Sequence, residues 1–141
     1  MDWLLYISQI NWLAVLLAFV ASMVIGFVWY LPAVLGNRWM QAIGKTEEDL
    51  KNIGGGAGIW LPMMAAAALT AILLEVLTQA LGLDNAVDAG LFAFVLALVI
   101  RAGGHVIHNG FAGRPAAVTL IDSGHDILAM TVAGVIIGAM S

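Results

Sequence analysis

Four stretches of this chain are apolar enough, for long enough, to cross a lipid bilayer, and no other feature restricts its fold as strongly. A hydrocarbon core about 30 Å thick takes roughly 20 apolar residues in a helix, because lipid offers the backbone no hydrogen-bond partner. The first stretch runs from about Trp12 to Leu35, carries no charge, and has aromatic residues near its ends in Trp12, Trp29 and Tyr30. The second runs from about Ala57 to Gly82, with Pro62 near its start and Glu75 in its outer third. The third covers about Ala89 to Asn109 and the fourth about Ala116 to Met140. Composition agrees: 10% of the residues are charged, against about 25% in a soluble domain. The expected fold is an all-α, four-helix transmembrane bundle of two antiparallel hairpins forming one domain over 1–141, since the connections 83–88 and 110–115 are short.

The longer connection, 36–56, contains Thr46-Glu47-Glu48-Asp49, a capping-box pattern whose acids suit the first turn of a helix. It predicts a short surface helix from Thr46 to Ile53, stopped by Gly54-Gly55-Gly56. Arg38, Lys45 and Lys51 lie in this loop and Arg114 in the third, whereas the second loop has only Asp84 and Asp88. The positive-inside bias then predicts a multi-pass protein of the bacterial cytoplasmic membrane with both termini outside. The residues Met1-Asp2-Trp3-Leu4-Leu5-Tyr6 lack the basic region of a signal peptide, so no cleavage is expected.

Several function classes are disfavoured by what the chain lacks. Without cysteine there is no disulfide, thiolate zinc site or cysteine nucleophile. A net charge of −4 argues against nucleic acid. No serine-nucleophile motif or dinucleotide fingerprint is present, and Gly54-Gly55-Gly56-Ala57-Gly58 lacks the lysine of a phosphate loop. The expectation is a non-enzymatic protein with no cofactor, whose partners are membrane lipid and either further copies of itself or a larger membrane assembly.

The order of residues also resembles a known family, the bacterial membrane proteins grouped as domain of unknown function 1761. The resemblance rests on Asn11-Trp12, Gly26, Trp29-Tyr30, Pro32, Gly36, Trp39-Met40 and Thr46-Glu47-Glu48-Asp49-Leu50 in the front half. In the rear half it rests on Asn109, Phe111, Gly113-Arg114-Pro115 and the small-residue-rich last segment. Members often carry an acid between the Phe and Gly of the third loop, where this chain has Ala112. The resemblance implies a small four-helix membrane protein and brings no activity, substrate or site.

Chemistry is concentrated in the last two segments. An ionisable side chain near the bilayer centre costs at least about 2.5–3.5 kcal/mol, so it needs a partner or a polar cavity. Arg101, His105 and His108 form a stripe on segment three, and Asp122, His125 and Asp126 share one face of segment four. An antiparallel hairpin brings Arg101 within reach of Asp122 or Asp126, and His105 towards Asp122. Three readings follow: a structural ion-pair network locking the hairpin, a proton or ion path, or a zinc, iron or manganese site from His105, His108, Asp122, His125 and Asp126. The adjacent Arg101 would repel a metal cation. Glu75 stands apart, with Thr78 and Gln79, and reads as a residue at the outer interface. Small residues recur as Ala14, Ala18, Ser22 and Gly26, and as Gly134 and Gly138, a spacing that allows close helix packing within the chain or with a second copy. Trp3, Trp12, Trp29, Trp39 and Trp60 read as interfacial anchors.

Overall fold

The computed structural model describes residues 3–53 and 57–141. Its elements are α1 (Trp3–Ser8), α2 (Trp12–Trp29), α3 (Asn37–Ile43), α4 (Glu47–Ile53), α5 (Ala57–Leu81), α6 (Ala86–Leu96), α7 (Gly103–Phe111) and α8 (Ala116–Ala139). A π-helical turn, Pro32–Gly36, leads into α3, and another, Ala97–Ala102, joins α6 to α7 without a break. Four helices, Trp12–Trp29, Gly58–Leu81, Ala86–Phe111 and Ala116–Ala139, are long and apolar enough to cross a membrane.

Local chemistry sets where these helices begin and end. The Asn11 side chain accepts from Ala14 N at 3.1 Å and caps α2. That helix ends earlier than its apolar run, which continues to Leu35, because Leu31 before Pro32 is extended at φ −60 and ψ 140. Asn85 accepts from the amides of Val87 and Asp88, so α6 starts at Ala86, before the expected Ala89. Gly82 and Gly113 adopt positive φ (65° and 62°) at the two tight turns. The capping box is formed: Thr46 N and Oγ1 donate to Asp49 Oδ2 at 2.8 and 2.7 Å, and Asp49 N donates to Thr46 Oγ1 at 3.1 Å. These bonds, the backbone one foremost, hold the Asp49 carboxyl below its ordinary range. Lys51 does the same for Glu47 from one turn away, at 2.8 Å. The expected Gly54-Gly55-Gly56 stop lies outside the described residues.

Helix α8 is the centre of the bundle. It packs on α6, α2 and α5, while α5 rests mainly on α2. Of its apolar window 39% is buried, against 17–22% for the other spans, and the remaining apolar side chains, Phe27, Leu69, Val99 and Leu120 among them, face outward as lipid requires.

The α6–α8 contact uses the small residues of both helices. A Cβ on Gly134 would lie 2.5 Å from Ala93 Cβ and 2.6 Å from the Ala89 carbonyl oxygen, and one on Gly138 would strike the Asn85 carbonyl. The Gly134–Gly138 pair therefore packs within the chain, against fully buried Ala89 and Ala93. On α2, Ala14 and Ala18 are likewise fully buried in the core with Ala71, Leu74 and Ile137. The tryptophans divide. Trp12 and Trp60 are exposed, as anchors would be, whereas Trp29 and Trp39 pack against other rings. The Trp3 side chain lies outside the described residues.

Buried positions on α6 step by four through Ala89, Ala93 and Ala97, and then by five to Ala102. The π-helical turn makes that step, as an inserted residue in a helix does. Without it Arg101, four residues after Ala97, would point into the α8 contact. With it Arg101 lies on the flank.

Gly134→Ala should lower stability by about 1–3 kcal/mol, since its methyl meets backbone and not a movable side chain. Gly104→Ala, where a Cβ meets nothing within 4 Å, should not. Denaturant unfolding in detergent separates the two, and equal stability of both variants would contradict the packing.

Candidate functional site

Asp126, one of the few buried charged residues at 9% exposure, is the hub of the polar cluster. Arg101 Nε and Nη2 both donate to Asp126 Oδ2 at 2.9 Å. His105 Nε2 reaches the same oxygen at 3.1 Å, and His125 Nδ1 reaches Oδ1 at 2.9 Å. Both carboxylate oxygens are thus engaged, by groups from the π-helical turn, α7 and α8 itself. A carboxylate so surrounded can remain ionised in an apolar setting, because each partner supplies a hydrogen bond along with opposite or induced charge.

His105 pairs with Asp126 and not with Asp122, the partner expected from the turn centre. The α7–α8 hairpin is centred near Arg114 and not Ala112, as the Asn109–Thr119 bond shows, and this moves His105 from the level of Leu120 towards Asp126. Asp122 instead accepts from Tyr30 Oη at 2.8 Å. His108 is exposed on α7 and is not brought into the cluster. Among the described residues no three His, Asp or Glu side chains gather in a metal-ligating arrangement: Asp122 is turned to Tyr30, and Arg101 occupies Asp126.

The other face of His125 meets α2. Its Nε2 is buried without a partner, and a Cβ on Gly26 would lie 3.1 Å from it. Tyr30 and Trp29 rings flank the imidazole at centroid distances of 5.4 and 6.4 Å. Trp29 Nε1 donates to the Ile121 carbonyl at 3.1 Å, held by its ring against Gly124. The Trp29-Tyr30 pair therefore clamps α8 beside Asp122 and His125. Pro32 and Gly36 shape the turn behind it, where a Cβ on Gly36 would collide with the Tyr30 carbonyl, and Trp39 stacks edge-on against Tyr30 at 5.4 Å. Farther along, Asn109 Nδ2 donates to Thr119 Oγ1 at 3.1 Å and ties α7 to α8.

A cavity of about 90 Å³ opens on this cluster, lined by Arg101, His125 and Asp126 together with Ser22, Thr70 and the apolar Ala133. A site of that size beside several polar groups can hold a few water molecules. Glu75, expected where α5 meets the outer interface, lies in the last two turns of that helix and is 2% exposed. Spacing along the last two spans gives five of these side chains, Arg101, His105, Asp122, His125 and Asp126, but not Tyr30 and Trp29, because nothing in that aromatic string shows that it faces Asp122.

His105→Ala should destabilise the protein by about 1–3 kcal/mol, because it takes a donor from a buried carboxylate, while His108→Ala should change stability by less than about 0.5 kcal/mol. Unfolding curves of the two variants test the assignment, and reversed effects would refute it.

Neither a curated protein nor a solved structure matches this chain. The family model described as protein of unknown function (DUF1761) matches residues 13–138, which take in the Trp29-Tyr30 clamp and the whole polar cluster, and the chain belongs to that family.

Proposed function

We propose that this protein is a small, non-enzymatic membrane transporter or channel that passes protons, with His125 as the exchanging group. The cavity shared by Arg101, His125 and Asp126 carries this reading, since it gives water access to ionisable groups within an apolar span. Asp126 only accepts when ionised, so His125 donates from Nδ1 and its buried Nε2 keeps a free lone pair. A proton taken there leaves an imidazolium whose Nδ1–H still donates to Asp126 Oδ1. Arg101 keeps the site neutral overall when His125 is neutral.

The loop cations favour an orientation with α3, α4 and the α7–α8 turn at the cytoplasmic face of a bacterial inner membrane. Lys45, Arg114 and Trp39 line one cavity at that end. Apolar surface left on α2, α5 and α6 suits lipid or a second copy of the chain.

A second reading makes the cluster purely structural, in an accessory or scaffold subunit. The observation in its favour is that the two oxygens of Asp126 are fully engaged, as in a fixed ion pair.

Purified protein in liposomes loaded with a pH-sensitive dye separates the two. Wild type should collapse an imposed proton gradient faster than protein-free liposomes, and His125→Asn and Asp126→Asn should slow it by about 10²-fold, the size expected when a positioned proton-transfer group is lost. If wild type passes no protons and the substitutions alter only stability, transport is excluded and the structural reading stands.

A further inference from the structure

The second buried carboxylate of the bundle lies far from this cluster in sequence and shares none of its hydrogen bonds. Glu75 on α5 is 2% exposed. Its Oε1 accepts from Asn11 N at 3.0 Å and from Gln79 Nε2 at 2.6 Å. Asn11 is the N-cap of α2, so the carboxylate sits at the positive end of that helix. Asn11 Nδ2 in turn donates to the Met140 carbonyl at 3.0 Å, which fixes the end of α8 to the same point.

Two acceptors at this place have no donor: Glu75 Oε2 and Gln79 Oε1, both shielded from solvent. The Gln79 amide cannot be turned round to mend this. Its nitrogen already bridges two acceptors, Glu75 Oε1 and the Gln9 carbonyl at 3.1 Å, which fixes its oxygen on the other side. Asn11 N donates to Glu75 Oε1 and its Nδ2 to the Met140 carbonyl. Both residues line a cavity of about 390 Å³ between α1, α5 and the end of α8, with Asp84 also lining it and no Lys, Arg or His among its described lining residues. Buried oxygen acceptors with no donor, beside a pocket whose described charged residues are all acidic, are what a bound cation would satisfy.

We propose that this pocket binds one monovalent alkali-metal cation, of which sodium is the probe, with Glu75 Oε2 and Gln79 Oε1 as its protein ligands. The donor set is all oxygen, which selects hard cations over zinc or copper. A single buried carboxylate neutralises a single charge, whereas calcium sites gather several carboxylates and magnesium gives up its water reluctantly. Both ligands belong to α5, and through Glu75 and Asn11 the bound ion braces the point where α2 and α8 meet that helix. The proposal does not depend on a proton path at His125, and its test involves no flux.

The full chain in detergent is titrated with sodium chloride against choline chloride at constant ionic strength, following the unfolding midpoint and the sodium NMR linewidth. Wild type should show a saturable upward shift of the midpoint and a linewidth increase that lithium or potassium competes away and calcium does not. Glu75→Gln should fold and lose both responses, because its amide oxygen still accepts from Asn11 N and Gln79 Nε2 while the negative charge is gone. Asp84→Asn, at an exposed position, should keep the fold and weaken sodium binding several-fold, which keeps the test decisive if Glu75→Gln does not fold. An absent response in wild type, an equal one in Glu75→Gln, or preferential binding of calcium would each overturn the assignment.

Discussion

A carboxylate within an apolar span must find its donors in the protein, and Asp126 finds them on three segments of the chain. Arg101 from the π-helical turn, His105 from α7 and His125 from α8 all point at its two oxygens. That demand fixes the register of the α6–α8 hairpin, since a slide of one turn would leave a guanidinium and a carboxylate unpaired in a low-dielectric setting. It also accounts for the π-helical turn. The close α6–α8 contact over Ala89, Ala93 and Ala97 requires small residues on the buried stripe, and the five-residue step moves Arg101 off that stripe while keeping it within reach.

Around this hub the bundle is built by close approach and not by bulk. Gly134 and Gly138 let α8 settle on α6, and Ala14 and Ala18 let α2 enter the core. Lipid is as apolar as leucine, so helices in a membrane gain from tight contact and hydrogen bonds more than from burying hydrocarbon. The two ends of α8 are tied by polar groups of α2: Tyr30 and Trp29 hold Asp122 and Ile121, and Asn11 holds Met140. The Trp-Tyr-x-Pro and Asn-Trp features through which the sequence resembles its family thus have physical work at opposite ends of one helix.

Hydropathy was sufficient for the four spans, because a long uncharged run such as Trp12–Trp29 has few other stable outcomes. The capping box at Thr46 was legible for a similar reason, being a local pattern with local bonds. The pairing of Arg101 with Asp126 was one of two expected partners. What escaped was set by tertiary geometry. The partner of His105 depends on where the α7–α8 hairpin is centred, two residues beyond Ala112. His108 shares a stripe with Arg101 by spacing and yet lies exposed on α7. The burial of Glu75 within the bundle is not legible from its neighbours Thr78 and Gln79. Its burial depends on α1 ending at Ser8 and α2 starting at Trp12, which brings the Asn11 amide to meet it.

The most direct test of the central role given to Asp126 is a double-mutant cycle with Arg101, measured by reversible unfolding of wild type, Arg101→Leu, Asp126→Leu and the double variant. Each single substitution leaves an unpaired charge among apolar groups, and the double removes both, so the account predicts a coupling of about 1–3 kcal/mol, with the double variant more stable than the two single losses sum to. Additivity within about 0.5 kcal/mol would mean that the two residues do not act as a pair, and would contradict the account.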